Sequence, residues 1–556
     1  MTGRALVLFG ACLLVAGCGD RRKPITMRGD MGPSVVVIGP RPTEKPKAQP
    51  ALPLIDEQEP DDDLAHAQPM EAGKGIRGTI REPKSVPAKH GGKDVRAVGD
   101  EDFYSFVDTV SDGARTDAGI GFRVARVELE GVPELDLSLE VLDGDGKRLW
   151  LANDNAEGKG EVISNLVVEP GRTYYVKVRS VTAKAGTQPY SLTVVTAPAS
   201  PGEEREPNDD VAHATLVGGG DATGYYGKKR DEDWLRLQLA GAVPGSTLRL
   251  ELSGVEGVAP ELRMLSSTGT LVVDARGGRG EELRLRNVGI PAGPFTLTVR
   301  AAEGRNVDQR WMLKTSVEGA LDGAEHEPNE VPASATPLDA AVGRVSGFLW
   351  PSDVDVYHVT GVPPGSLVSA SVDGVPRVDL RLERLGSDGR VLMRADEAGA
   401  DRGETLPPLA GDVYLRVSAR ARDVAFDTPY TLSVNVVPGA DDLEIEPNDS
   451  MANATPWPAT ATSMRGYLAP RGDEDWYRLV APASASKLTV ETTMPAGLSA
   501  NVRVVDESKA PLGPSLSGGR ASGPVQPGKT YWLSVKANTD KLSNPRDPYT
   551  VTTKFE

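Results

Sequence analysis

At 556 residues the chain is long enough for several domains of ordinary size, and 61 glycines and 44 prolines with only 5% aromatic residues suit turn-rich β structure rather than long helices. A formal net charge of -17 makes nucleic acid a poor partner and repels anionic lipid headgroups, so attachment to a membrane would have to come from acyl chains rather than a basic face. Divalent cations fit that charge.

The chain opens with one positive charge at Arg4, an apolar run from Ala5 to Ala16, and then Val15-Ala16-Gly17-Cys18. The run is too short to span a bilayer, and small residues precede the cysteine, so residues 1–17 resemble a bacterial lipoprotein signal peptide, with Cys18 as the lipidated N-terminus. Cys12 lies inside the segment that would be removed, which leaves no pair of cysteines for an intramolecular disulfide. Gly19 after the cysteine, rather than Asp, points to the outer membrane. Residues 18–53 are rich in Pro, Lys and Arg, with only Val35 to Ile38 as an apolar run, and read as a tether. Arg28-Gly29-Asp30 and Arg471-Gly472-Asp473 spell an integrin-type tripeptide that is expected to be coincidental.

From residue 54 onward one pattern recurs four times. Its fullest copy has Glu444-Glu446-Asn448-Asp449, a Gly466-Tyr467 step, Asp473-Asp475-Trp476-Tyr477 and a late Pro548-Tyr549-Thr550-Val551 strand. Earlier copies carry Glu325-Glu327-Asn329-Glu330 with Asp353-Asp355, Glu204-Glu206-Asn208-Asp209 with Asp231-Asp233, and a looser Glu57-Glu59-Asp61-Asp62 with Asp100-Asp102. The spacing divides the chain into unit one (54–197), unit two (203–318), unit three (325–438) and unit four (444–556). In unit one Leu135, Leu137, Leu139 and Val141 alternate with polar residues, a period of two that puts aliphatics on one buried face, and Asp143-Gly144-Asp145-Gly146 suits a tight hairpin. After each D-x-D the alternation returns. Leu235 and Leu237, Tyr357 and Val359, and Tyr477 and Leu479 face a core, with Arg236, His358 and Arg478 on the other side.

These four ordered marks resemble the bacterial pre-peptidase C-terminal (PPC) domain family, over nearly everything after residue 54. The resemblance implies an all-β fold of four tandem antiparallel, jelly-roll-like β-sandwich domains. It also implies modules of the kind attached to exported proteins, similar to the collagen-binding modules of collagenases, some of which hold calcium. Carried over residue by residue, it implies a calcium site at Glu444, Glu446, Asn448, Asp449 and Asp475 in unit four, with Asp473 beside them. In unit two the corresponding residues are Glu204, Glu206, Asn208, Asp209, Asp231 and Asp233. Units one and three depart from the pattern at Asp61 and Glu330. Five carboxylates and one amide are hard oxygen donors of the type calcium takes. The competing reading makes Asn448 and Asp449 hydrogen-bonded turn residues and leaves the glutamates in solvent.

Catalytic signals are sparse. Gly523 to Thr530 matches a phosphate-loop pattern letter for letter, but two of its residues are prolines without an N–H and a strand-like run follows, so it reads as a Pro-Gly turn. The five histidines have no zinc spacing, and no nucleophile elbow is present. The expectation is a non-enzymatic, lipid-anchored cell-envelope protein acting as a calcium-stabilised spacer or as a binding or adhesion surface for extracellular or periplasmic protein or polysaccharide. The alternative is an accessory subunit of an exported protease or polysaccharide-processing machine.

Overall fold

The computed structural model describes residues 51–556 apart from 88–94, 110–114, 117–118, 121, 183, 219, 240–244, 320, 421–422 and 514–518. The signal peptide, Cys18, Arg28-Gly29-Asp30 and the tether up to residue 50 lie outside the described residues. No helix among the described residues is long and apolar enough to cross a membrane.

Strand is the dominant element, and the alternation read from sequence explains where the strands bury themselves. In unit four one sheet runs Thr455–Pro456, Glu474–Val480, Thr530–Ala537, Ala500–Val505, and a second runs Ser463–Gly466, Tyr549–Phe555, Lys487–Thr493, Arg520–Pro524. Tyr477, Leu479, Leu533 and Val535 from the first sheet meet Val490, Tyr549 and Val551 from the second in one apolar core. Units two and three repeat the plan with one extra strand, Leu271–Arg276 and Val391–Ala395, hydrogen-bonded at the edge of the first sheet. Unit one has two sheets of five strands. Each unit closes around its own cluster of buried aliphatic and aromatic side chains.

The expectation of four tandem antiparallel, jelly-roll-like β-sandwich domains is corrected on two points. The sheets are mixed: the short strand that follows each opening turn lies parallel to the D-x-D strand, as Thr336–Asp339 does beside Val354–Thr360 and Thr455–Pro456 beside Glu474–Val480. A connection that runs forward across the chain and back into the same sheet, instead of turning tightly, gives that direction. Nor are the units separate bodies. The described residues belong to one compact unit spanning Thr43–Glu556, and parallel bridges Leu166↔Glu206 and Val288↔Glu327 join one repeat to the next. The result is a continuous all-β stack in which each repeat is completed by its sequence neighbour.

The junctions are polar and specific. Asn165 and Asn287 each sit at an irregularity in strand register with positive φ, 53° and 61°, a conformation asparagine tolerates better than most residues. From there Asn165 Nδ2 donates to Glu204 Oε1 at 2.8 Å, and its carbonyl accepts Glu206 N–H at 2.9 Å. Asn287 Nδ2 donates to the Glu325 carbonyl. The third junction uses Arg384, whose guanidinium donates to the carbonyls of Glu446 and Ala410 at 3.1 and 2.6 Å. Arg126–Asp308 and Arg284–Asp427 add ion pairs at the rims of the first and second junctions.

Other turns behave as their residues dictate. Asp143 Oδ1 accepts the N–H groups of Asp145 and Lys147, and Gly146 supplies the positive φ. Residues 525–529 form a turn between the strands Arg520–Pro524 and Thr530–Ala537.

Because Asn287 is fully buried and carries both a left-handed backbone and an inter-repeat hydrogen bond, Asn287→Ala is expected to cost about 1–3 kcal/mol. Chemical denaturation of the chain checks this: an unchanged midpoint and slope would remove the junction role assigned to it.

Candidate metal centre

The opening turn and the D-x-D strand are brought together by backbone bonds before any side chain is considered. In unit four Glu444 N–H donates to the Arg465 carbonyl, and Trp476 N–H donates to the Asn448 carbonyl at 3.1 Å. The Glu-Pro peptide of the turn is cis in all four units. Period two then puts Asp475 on the same face as Tyr477 and Leu479, so a carboxylate is carried to the edge of an apolar core.

Ligand atoms of Glu444, Glu446 and Asp475 lie within 4.8 Å of one another, all three residues being buried. The same set recurs as Glu204, Glu206 and Asp233 and as Glu325, Glu327 and Asp355; in unit one the group is instead Glu59, Asp61 and Asp102, with Asp61 at the asparagine position and Glu59 half-buried. Units one and three thus assemble the cluster despite departing from the sequence pattern. Glu444 is held by Tyr467 N–H on Oε1 and by the Tyr477 hydroxyl on Oε2 at 3.1 Å. Asn448 donates its main-chain N–H to Glu446 Oε2 at 2.9 Å and its amide to Glu444 Oε2 at 3.2 Å. The glutamates are therefore fixed and buried rather than solvated. Several oxygens are left over: Glu446 Oε1 and Asp475 Oδ1 are buried with no N–H or hydroxyl donor, as are Glu327 Oε1 and Asp355 Oδ1, Asp233 Oδ1, and Asp61 and Asp102 oxygens, so that only a proton shared between carboxyls, as between Glu327 and Asp355, or a cation serves them. A buried acceptor without a donor is costly, and a cation would satisfy several at once.

The remaining residues expected to be ligands fall in two places. Asp473 and Asp231 are buried beside the cluster but cap the turn before them, accepting Ala469 N–H at 2.7 Å and Gly227 N–H at 2.5 Å. Asp449 and Asp209 are exposed, Asp209 pairing with Lys228, and act on the buried acids only by their charge. Burial of Asp473 and its turn bond also disposes of Arg471-Gly472-Asp473 as an integrin-type ligand.

A tyrosine pair supports the centre and was not anticipated from the sequence. Tyr549 donates to Asp475 Oδ2 at 2.6 Å and lies 2.7 Å from the Tyr477 hydroxyl. Tyr357 with Tyr430 and Tyr104 with Tyr190 repeat the arrangement on Asp355 and Asp102. The signal was present, since these are the tyrosines of the late P-Y-x-L strand and of the D-x-D strand. Unit two substitutes Leu235 and Trp311, and the indole N–H donates to Asp233 Oδ2 at 3.0 Å. The glycine of the Gly-aromatic step is explained by the same crowding: a Cβ on Gly466 would sit 2.5 Å from Glu444 Oε2 and 2.6 Å from both tyrosine hydroxyls.

Like charges at this spacing repel by roughly 3–4 kcal/mol per pair at an effective dielectric near 20. Burial, reinforced by neighbouring carboxylates, accordingly raises the acids. Desolvation and the Glu444 carboxylate push Glu446 up to about 8, and desolvation brings Glu444 to about 7 against its hydrogen bonds. Desolvation raises Glu325 to about 7 and Glu204 to about 8, and Asp475 and Asp355 are raised well above the ordinary range by burial and then by Glu444 and Glu325 respectively.

No family model matches the chain, and no curated protein matches it. Among solved structures, a biofilm-associated protein BSP domain is 9% identical over 91% of this chain and 98% of its own, with a TM-score of 0.11. A glycoside hydrolase family 32 structure from Bifidobacterium adolescentis is 9% identical over 81% and 99%, with a TM-score of 0.14. Similarity that low carries no argument about fold or function.

The raised acids have a consequence for metal-free protein. Their folded affinity for protons exceeds that of the unfolded chain, so the stability they contribute is complete below about pH 4 and is lost as pH rises towards 7–8. In chelator the melting temperature is expected to fall between pH 5 and pH 8; a flat or rising profile would contradict the buried clusters.

Proposed function

We propose that this chain is a non-catalytic, lipid-anchored envelope protein whose four β repeats form a calcium-stabilised spacer and binding surface for protein or polysaccharide. One observation carries the reading: a carboxylate cluster with unpartnered oxygens recurs in every repeat where the opening turn meets the D-x-D strand, fully buried and of one composition in units two, three and four. A catalytic centre needs one specialised arrangement, whereas a carboxylate cluster repeated at the same place in every repeat suits a structural role, and an ion where no side chain neutralises it. The donors are all oxygen, which favours calcium or magnesium over zinc or copper, and calcium tolerates the irregular geometry better. In units two, three and four the opening turn is also gripped by the preceding repeat, so an ion there stiffens a junction as well as a core. Clefts of about 870 and 840 Å³ at the first and second junctions, one lined by Arg126, Tyr225 and Arg310 and the other by Arg276, Arg279 and Phe426, give a polymer segment room to lie. Attachment through acyl chains on Cys18, in the outer membrane, is part of the proposal and is motivated by Val15-Ala16-Gly17-Cys18.

A cation that binds the folded clusters and not the unfolded chain stabilises by about 2.7 kcal/mol at one hundred times its Kd. Melting of the full chain in calcium against chelator at pH 7.5 is therefore expected to show a rise of about 5 °C or more, reduced by Asp355→Asn with Asp475→Asn. Coincident melts reject the ion and leave hydrogen-bonded turns. Mass spectrometry of the mature N-terminus tests the anchor: acylated Cys18 supports it, and an unacylated start at another residue rejects it.

A further inference from the structure

We infer that the four centres are of two kinds: in units one and two a basic side chain of the protein itself is paired with acids at or beside the carboxylate cluster, and in units three and four that place is left to a divalent cation. The inference rests on the calcium reading above and goes on to say which repeats answer to the ion.

The comparison turns on one backbone position. Gly227, Trp350 and Ala469 each donate their N–H to the first aspartate of D-x-D, at 2.5, 3.2 and 2.7 Å, and Arg81 does the same to Asp100 at 2.7 Å. In unit two the next residue is Lys228. Its ammonium pairs with Asp209 and lies 3.8 Å from Asp231 Oδ1, and it is held over the Trp150 ring of unit one at 4.3 Å. Units three and four have Pro351 and Pro470 at that position, with no charge to offer. In unit one the positioned residue is itself basic: the Arg81 guanidinium is 3.0 Å from Glu59 and 3.6 Å from Glu57.

Among the described residues no ion pair reaches Glu325, Glu327, Asp353 or Asp355, nor Glu444, Glu446, Asp473 or Asp475. Arg384 comes close enough to unit four for its charge to act on Glu446, as the smallest of the influences on that carboxyl, but its guanidinium is within ion-pair distance of no carboxylate there and is given to the main-chain carbonyls of Glu446 and Ala410. Both clusters keep buried, unpartnered oxygens, Glu327 Oε1 with Asp355 Oδ1 and Glu446 Oε1 with Asp475 Oδ1. Units one and two keep such oxygens too, and unit two has the same Glu-Glu-Asp set as units three and four, so for unit two the resident cation is what sets it apart; unit one differs in donors as well. An ammonium or guanidinium relieves part of the carboxylate repulsion and repels a second cation, so it weakens divalent binding twice over.

The test is calorimetric titration of the metal-stripped full chain with calcium alone. Two tight sites per chain are expected, one removed by Asp355→Asn and the other by Asp475→Asn, while Asp233→Asn leaves both. Lys228→Gln is expected to add a third tight site, tightening unit two on the order of tenfold or more. Because a misfolded variant loses sites and does not gain one, Lys228→Gln keeps the test informative if an aspartate variant folds poorly. Four equal sites, or a count unmoved by Lys228→Gln, overturns this inference and leaves the calcium reading standing. No calcium uptake by any variant overturns both.

Discussion

The constraint on which the rest depends is that a strand with period two cannot carry Asp475, Tyr477 and Leu479 on one face without burying a carboxylate at the rim of an apolar core. Everything around that aspartate answers the burial. Tyr549 supplies one hydroxyl to it, Tyr477 couples that hydroxyl to Glu444, and Asn448 pins Glu446 beside them. The Gly466 backbone then has to pass so close to both hydroxyls that a side chain would collide. Sequence features that look independent along the chain are thus one network, and it is incomplete at the oxygens that no donor reaches.

The same network explains why the repeats are continuous. The turn that supplies the glutamates is the first segment of each repeat, and its outer side is exposed to the repeat before it. Asn165 and Asn287 use irregular strand register to reach it, and Arg384 reaches the Glu446 carbonyl of the same turn by a long side chain. Core formation and docking between repeats therefore share residues, so perturbing one is felt by the other.

Much of this could be read from the residues. The alternation of Leu137, Leu139 and Val141 and of Tyr477 and Leu479 marks strands and their buried faces, and Asp143 to Gly146 spells its turn, because these follow from local geometry. The recurrence of E-x-E with D-x-D picks out the carboxylates that converge. What could not be read is direction and depth: whether a short strand joins its sheet parallel or antiparallel depends on a partner twenty residues away, which gave the mixed sheets. Asp449 and Asp475 are equally acidic in sequence, but the turn directs one to solvent and period two directs the other inward. The gripping of one repeat by the last is a contact between distant segments, and no local pattern announces Asn165 or Asn287.

Unit two differs from its sisters in using Trp311 where they use a tyrosine, and among the seven tryptophans this is the one whose indole N–H is given to a carboxylate. It is also fully buried. An indole bonded to an acid has an emission that depends on whether that acid is charged, protonated or shared with an ion. The substitution gives one repeat of the four an optical address of its own, so events at Asp233 can be followed without a label as the part of the fluorescence that disappears when Trp311 is replaced.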